Sequence, residues 1–186
     1  MTRLAGDKAA ARAAAFARRK QAHATDRGTG AALLSSLLAG YRGVPLSGYL
    51  AIRTEIDPLP AMAEAAAHGP VGVPVIEGKG QPLKFAAWEP GIALVPGPFG
   101  AQVPERLEFF EPELLIVPLV AFERNGGRLG YGGGFYDRTL ALLRARRPTV
   151  AVGFAYAAQE ARDLPLEATD QPLDLVVTET EIIEPS

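Results

Sequence analysis

Short, continuously apolar runs between turn residues are the feature that most restricts the fold of this 186-residue chain. Four of these runs are residues 71–76, 114–120, 149–154 and 173–178, the last of which is interrupted by Asp174. They lack the alternation of a strand that has one face in water, and they are typical of strands buried on both faces of a parallel sheet. Helical stretches such as 137–147 lie between some of the runs. The pattern predicts an α/β fold, a three-layer sandwich in which helices on both faces cover a mostly parallel sheet.

The remaining segments predict further helices and one more strand. An Ala-rich stretch with interspersed Lys and Arg predicts a first helix over 6–22, with Asp7 as its capping residue. Shorter helices are predicted at 31–39 and 59–68, and a strand at 48–53. The length of the chain, with no repeat or long linker, predicts one domain over residues 1–186.

Composition excludes several classes of protein. The chain has no cysteine and only two histidines, so a disulfide framework, a thiolate nucleophile and a histidine-rich metal cage are excluded. No apolar run is long enough to span a membrane or to act as a secretory signal, and we therefore expect a cytoplasmic protein without membrane contact. The net charge of −2 hides an asymmetry, because residues 1–30 carry seven Lys/Arg against two Asp while the rest is acidic. The acidic body, without an extended basic stripe, argues against nucleic-acid binding.

The most informative segment is glycine-rich and spans Arg128 to Arg138, with the sequence RLGYGGGFYDR. Glycines allow the backbone to approach an anion closely, and a helix that begins just afterwards offers free N–H groups to the same anion. The spacing matches neither the Rossmann fingerprint nor the Walker A loop. A flexible surface loop without a ligand is the alternative. The aromatic pair Phe135-Tyr136 beside Asp137 favours the anion-binding interpretation, because a merely flexible loop has no need of these residues.

This segment, in the longer run LIVPLVAFERNGGRLGYGGGFYDR, resembles the hallmark of 5-formyltetrahydrofolate cyclo-ligases, also called methenyltetrahydrofolate synthetases. Lys8 and Arg12 match the K-x-x-x-R of that family's first helix. Residues 54–57 (TEID) resemble its substrate-side element, and 164–174 resemble its late L-P-x-E-x-x-D segment. These pieces occur in the family's order over nearly the whole chain.

The resemblance implies an ATP- and Mg²⁺-dependent cyclisation of 5-formyltetrahydrofolate to 5,10-methenyltetrahydrofolate, with release of ADP and phosphate. It implies a folate substrate, with polyglutamylated forms included, and we expect a monomer. It implies substrate contacts by Leu50 and Glu55 and metal contacts by Asp137 and Asp170. The implied ATP-binding residues are Lys8, Arg12, Arg128, Leu129, Gly130, Tyr131, Gly132, Gly133, Gly134, Phe135 and Tyr136. No catalytic residue is assigned.

Each role has a structural alternative. Lys8 and Arg12 share one helix face, which could simply be solvated. Glu55 and Asp137 could be carboxylates near helix N-termini, and Asp170 an ordinary turn residue. At the level of the protein, the alternatives are a sugar-phosphate-type α/β enzyme that does not use ATP and a catalytically silent folate-binding protein.

The chain departs from the family's commonest pattern at four positions. Glu123, Phe135 and Thr169 stand where Asp, Tyr and His are usual, and Gly133 stands where some members have a basic residue. The positive charge at the γ-phosphate must then come from other residues, namely Lys8, Arg12, Arg128 and Arg138 or the metal ion.

Overall fold

The computed structural model describes residues 2–186, which form an eight-stranded main sheet, two two-stranded sheets and the surrounding helices. The α-helices are α1 (Arg3–Thr25), α2 (Ala32–Leu38), α3 (Leu59–Ala66) and α4 (Phe135–Arg146). The strands are β1 (Leu46–Ser47), β2 (Val71–Ile76), β3 (Leu83–Ala87), β4 (Leu94–Pro96), β5 (Gln102–Pro104), β6 (Phe109–Phe110), β7 (Leu114–Pro118), β8 (Ala121–Phe122), β9 (Arg128–Leu129), β10 (Val150–Phe154), β11 (Leu175–Val177) and β12 (Ile182–Ile183).

The main sheet is mixed, with a parallel centre and antiparallel edges. Its order is β12-β11-β10-β7-β1-β2-β3-β6. The strands from β11 to β2 pair in parallel, while β12, β3 and β6 pair antiparallel. From β1 the chain continues to β2 on one side and later returns to β7 on the other. Ligands of open α/β sheets bind at such a point, beyond the carboxyl ends of the strands.

The apolar runs are buried on both faces, as the sequence predicts. In β7, Leu114 and Ile116 belong to the core formed with α2 and α3. The alternate residues Leu115 and Val117 belong to the core on the other face, to which α4 contributes Leu140. The predicted α/β class, with a mostly parallel sheet covered by helices on both faces, is therefore confirmed.

Two local predictions are wrong. Residues 48–53 do not form a strand, because the chain leaves the sheet after Ser47 and passes directly over α3. A Cβ atom on Gly48 would lie 2.3 Å from the sulfur of Met62, so only glycine fits that approach. The first helix also begins earlier than predicted, and Thr2, not Asp7, caps it through a hydrogen bond to the Ala5 amide.

Helix α1 carries one face into the region where β1 and β7 end. Ala15 packs against Val120, Ala121 and Leu129. Residues separated by three or four positions share a helix face, and the face that bears Ala15 also bears the basic residues Lys8, Arg12 and Arg19. Among residues 2–186, no helix is both long and apolar enough to cross a membrane.

Candidate active site

A large cleft of about 890 Å³ opens at the carboxyl ends of β1 and β7. The structure brings every residue that the sequence places in the site to this cleft, although the role of each stays a prediction. The lining includes Lys8, Arg12, Leu50, Glu55, residues 128–137 and Asp170. Leu129 lines the cleft only through its backbone, because its side chain packs in the core behind the cleft.

The glycine loop, residues 130–134, joins β9 to α4. Gly132 and Gly134 have φ of 101° and 67°, a conformation that favours glycine. No backbone N–H from Tyr131 to Asp137 donates to an acceptor in the described part of the chain. These consecutive free donors, at the positive end of the α4 dipole, suit a phosphate group.

Arg138 and Phe135 pack against the glycine loop. Arg138 donates through Nη2 to the carbonyl oxygen of Gly133 at 2.6 Å, and its guanidinium lies 5.3 Å from the centre of the Phe135 ring. A Cβ atom on Gly133 would lie 2.8 Å from that ring, so this packing needs glycine at 133. A larger residue at 133 would therefore displace Phe135, and Arg138 already places a positive charge beside the loop.

The basic face of α1 also lines the cleft. Lys8 is 13% exposed and pairs with Glu167 at 2.5 Å and with Asp170 at 3.3 Å. Burial lowers the pKa of Lys8, but its bonds to these two carboxylates outweigh burial and raise the pKa above its ordinary value. Arg12 donates through Nε to the carbonyl oxygen of Gly130 at 2.8 Å, which holds the glycine loop to α1.

The two aspartates of the cleft are each held through one oxygen. Asp137 uses Oδ1 to pair with Arg128 and to accept from the Gln171 amide. Asp170 uses Oδ2 to accept from Lys8 and from the Glu167 amide. Within residues 2–186, the second oxygen of each aspartate accepts no hydrogen bond from the protein.

This donor set fits Mg²⁺ bound partly by a nucleotide. In the described part of the chain, no three His, Asp or Glu side chains come together to hold a metal ion on their own. Magnesium commonly takes only one or two carboxylates, and phosphate oxygens and waters complete its shell. Asp137 and Asp170 each offer one such oxygen.

Glu55 is a buried carboxylate of the cleft lining and is only 5% exposed. Its Oε1 accepts from the Tyr131 hydroxyl at 2.6 Å, and its Oε2 accepts from the Ile52 amide at 2.9 Å. Burial raises the pKa of Glu55 above its ordinary value, and these two hydrogen bonds oppose the shift. Burial also raises the pKa of the Tyr136 hydroxyl, which stays protonated.

Unsatisfied polar atoms concentrate in this region. Arg128 Nε, Tyr136 Oη and Arg138 Nε are buried without a hydrogen-bond partner among the described residues, and all three residues line the cleft. Buried polar groups are usually hydrogen-bonded, so this concentration is typical of a site that binds a polar ligand.

Sequence reasoning missed Arg19, Glu167 and Gln171. Arg19 follows Arg12 by seven positions and lies on the same face of α1, so helical periodicity could have found it. Glu167 is the Glu of the late L-P-x-E-x-x-D segment, which could have marked it, whereas no such signal points to Gln171. The partners of both residues, Lys8 and Asp137, are brought to them only by the fold. Of the departures, Glu123 accepts from the Leu164 amide at 2.7 Å and so anchors the late segment, while Thr169 is exposed.

Comparison with known proteins gives consistent matches. The model of the 5-formyltetrahydrofolate cyclo-ligase family matches residues 7–179. A 5-formyltetrahydrofolate cyclo-ligase of Haemophilus influenzae is 41% identical over 95 residues, which are 50% of this chain and 46% of that protein. The Escherichia coli K12 protein of the same name is 43% identical over 95 residues, 44% of this chain and 52% of its own. The aligned part thus spans about half the length of these curated relatives.

Solved structures extend the likeness over nearly the whole chain. The NMR structure of a 5,10-methenyltetrahydrofolate synthetase from Aquifex aeolicus has a TM-score of 0.75 and 28% identity, and covers 95% of this chain and 92% of that one. A Mycoplasma pneumoniae synthetase of the same name has a TM-score of 0.66, with 93% of this chain and 99% of that one covered. Its identity is 20%, so it supports the fold alone.

Proposed function

Because the chain belongs to the 5-formyltetrahydrofolate cyclo-ligase family, we propose that it closes 5-formyltetrahydrofolate to 5,10-methenyltetrahydrofolate with ATP and Mg²⁺, releasing ADP and phosphate. One observation carries the proposal. A loop with free backbone donors and a buried carboxylate face the same cleft at the point where the sheet reverses its order. Such a cleft can hold a nucleotide phosphate and a flat, hydrogen-bonding heterocycle side by side.

The chemistry needs the two substrates in contact. The formyl oxygen attacks the γ-phosphorus of ATP, and ADP leaves. N10 of the folate then attacks the activated formyl carbon and loses its proton, and the former formyl oxygen departs within inorganic phosphate. Phosphoryl transfer depends mainly on positioning and charge stabilisation, which explains why the chain manages without cysteine and with no histidine in the cleft lining.

The ATP side of the proposal assigns the phosphates to the glycine loop and the basic face of α1. The free N–H groups of 131–137 bind phosphate oxygens, and Lys8 lines the same cleft. Arg12 holds the loop through the Gly130 carbonyl. Arg128 is largely committed to Asp137, and Lys8 is paired with Glu167 and Asp170. Arg12 and Arg138 each use one nitrogen to donate to a carbonyl oxygen of the loop, so they are the cations most available to the transferred phosphoryl group. The Phe135 and Tyr136 rings complete the wall beside the loop.

Asp137 and Asp170 would hold Mg²⁺ through the oxygens that accept no protein hydrogen bond. When bound, the ion neutralises charge on the phosphates. The protein's own part is to fix both carboxylates, through Arg128 and the Gln171 amide on one side and Lys8 on the other.

For the folate substrate, we assign the contacts of the pterin ring to Glu55 and Leu50. The carboxylate of Glu55 accepts hydrogen bonds from ring N–H groups of the pterin, and half-buried Leu50 contacts its apolar surface. A polyglutamylated folate, a monomeric state and a cytoplasmic location stay predictions.

A coupled assay tests the proposal. The protein is incubated with ATP, Mg²⁺ and 5-formyltetrahydrofolate, while ADP release and the absorbance of the methenyl product are followed together. We expect both signals to rise together, and only when all three components are present. A folded protein that binds 5-formyltetrahydrofolate without turnover would instead be a silent folate-binding protein. Failure to bind either substrate would favour a phosphate-handling enzyme that does not use ATP.

A further inference from the structure

Arg19 is a buried cation that the proposed chemistry does not use directly. Its side chain is 1% exposed, on the face of α1 that bears Lys8 and Arg12. Nε donates to the Thr54 hydroxyl at 2.9 Å, and Nη1 donates to the Tyr131 hydroxyl at 2.5 Å. The guanidinium also lies over the rings of Phe16 and Tyr131, at 5.0 and 5.6 Å from their centres. A buried charge is costly unless it is well paired, so the position of Arg19 calls for a reason.

The hydrogen bonds of Arg19 fix the direction of a longer chain of contacts. A guanidinium can only donate, so the Tyr131 oxygen must accept from Arg19. The hydroxyl hydrogen of Tyr131 is then available to Glu55, whose Oε1 lies at 2.6 Å. The series of hydrogen bonds therefore runs from Arg19 through Tyr131 to Glu55. Every donor in it has an acceptor when the Glu55 carboxyl group is ionised. Hydrogen bonds in such a chain strengthen one another.

The surroundings of Glu55 show why such support is needed. Burial raises the pKa of Glu55, whereas the bonds from Tyr131 and the Ile52 amide lower it. The charges of Arg19 and Arg53 also lower the pKa. Tyr49 and Tyr136, which also lie near Glu55, are neutral, and their own pKa values are raised by burial and by the charge of Glu55.

We propose that Arg19 is a positioning residue for the folate half of the cleft and that, acting through Tyr131, it keeps Glu55 an ionised and fixed acceptor for the N–H groups of the pterin. The inference rests on the proposed function. Its basis is the uninterrupted Arg19–Tyr131–Glu55 contact, which also joins α1 to the glycine loop. Arg19 itself is not among the described residues that line the cleft.

The test compares Arg19→Met with Arg19→Lys and with a charge control. Methionine keeps an unbranched buried side chain and removes the charge, while lysine keeps the charge without the two-donor fork. Lys20→Met removes one positive charge from an exposed position of the same helix. For each variant, the KM for 5-formyltetrahydrofolate, the KM for ATP and kcat are measured across a range of pH, and thermal melting reports folding.

For Arg19→Met we expect a folate KM about tenfold higher at neutral pH, as for the loss of one hydrogen bond to a charged group. The KM for ATP and kcat should stay close to those of the parent. The folate KM should recover as pH rises, because Glu55 then ionises without help. Arg19→Lys should lie between Arg19→Met and the parent, and Lys20→Met should match the parent. A loss that does not depend on pH, or one that affects the KM for ATP equally, would overturn the inference.

A second measurement keeps the inference separate from the proposed function. The carboxyl carbon of Glu55 is followed by NMR in ¹³C-Glu-labelled protein, with Glu55→Gln to assign the signal. We expect the titration of Glu55 to move to higher pH in Arg19→Met and in Tyr131→Phe. An unmoved titration overturns the inference even when the parent is active. If the parent is inactive but the variants still shift the titration of Glu55, the Arg19–Tyr131–Glu55 contact is supported and the proposed function is refuted. If Arg19→Met does not fold, Tyr131→Phe supplies the same comparison.

Discussion

Gly133→Ala is the sharpest perturbation that the structure offers for the glycine loop. The added Cβ atom would lie 2.8 Å from two carbons of the Phe135 ring, well inside ordinary contact distance. The ring also contacts the Arg138 guanidinium, 5.3 Å from its centre, and the edge-on ring of Phe99, whose centre lies 6.1 Å away. Overpacking costs about 1–3 kcal/mol in a packed core, and because Phe135 is only half-buried we expect the lower part of that range here. We expect the strain to distort the loop and to raise the KM for ATP about tenfold, which corresponds to about 1.4 kcal/mol.

Gly130→Ala is the matched control in the same loop. A Cβ atom on Gly130 would meet only the Arg128 guanidinium, at 3.5 Å, which is ordinary contact. Steady-state kinetics with ATP as the varied substrate should therefore separate the two alanine variants. Phe135→Leu gives the second half of the test, because it removes the ring from the path of the new methyl group. In that background, Gly133→Ala should add little further loss. Additive losses, or equal losses for Gly130→Ala and Gly133→Ala, would refute the reasoning.

Three further predictions concern ionisable residues of the cleft. Lys8→Met should raise the KM for ATP about tenfold with an unchanged KM for the folate, and equal ATP saturation curves for variant and parent would contradict it. Glu55→Gln should gain stability relative to the parent as pH rises. A carboxyl whose pKa is raised by folding contributes its full stability below the ordinary pKa of 4.5, and the parent loses that contribution as pH rises through the raised pKa. Urea unfolding across pH measures the difference in the free energy of unfolding, and a difference that does not change with pH would contradict the prediction. Asp170→Asn should increase the Mg²⁺ concentration required for half-maximal activity, whereas Asp7→Asn, at an exposed position, should leave it unchanged.

The local sequence predicts most of the strands of the sheet, but it does not predict the course of the chain between them. The runs at 71–76 and 114–120 are recognisable because both faces of each strand are buried, which leaves an unbroken apolar sequence. The strand β1 consists of only Leu46–Ser47, too short to produce any pattern. The apolar residues after it, predicted as a strand at 48–53, instead turn over α3 and line the cleft.

The residues of the candidate site are likewise partly predictable from the local sequence and partly not. Residues close in sequence, such as the glycine loop and the start of α4, are predictable together because their chemistry depends on local backbone geometry. Arg19 and Glu55 are brought together through Tyr131 across a large separation in sequence, and no local pattern contains that contact. The pairing of Arg128 with Asp137, which leaves Arg128 less available to the phosphates, is also visible only in the structure.

The transfer of an oxygen atom tests the central claim most directly. If ATP activates the formyl group by phosphorylation, the formyl oxygen must leave within inorganic phosphate. The substrate is therefore prepared with ¹⁸O in its formyl group, and the phosphate released during turnover is analysed by mass spectrometry. The account predicts one ¹⁸O atom in each phosphate formed, in step with the methenyl product. Unlabelled phosphate accompanied by full formation of the methenyl product would contradict it.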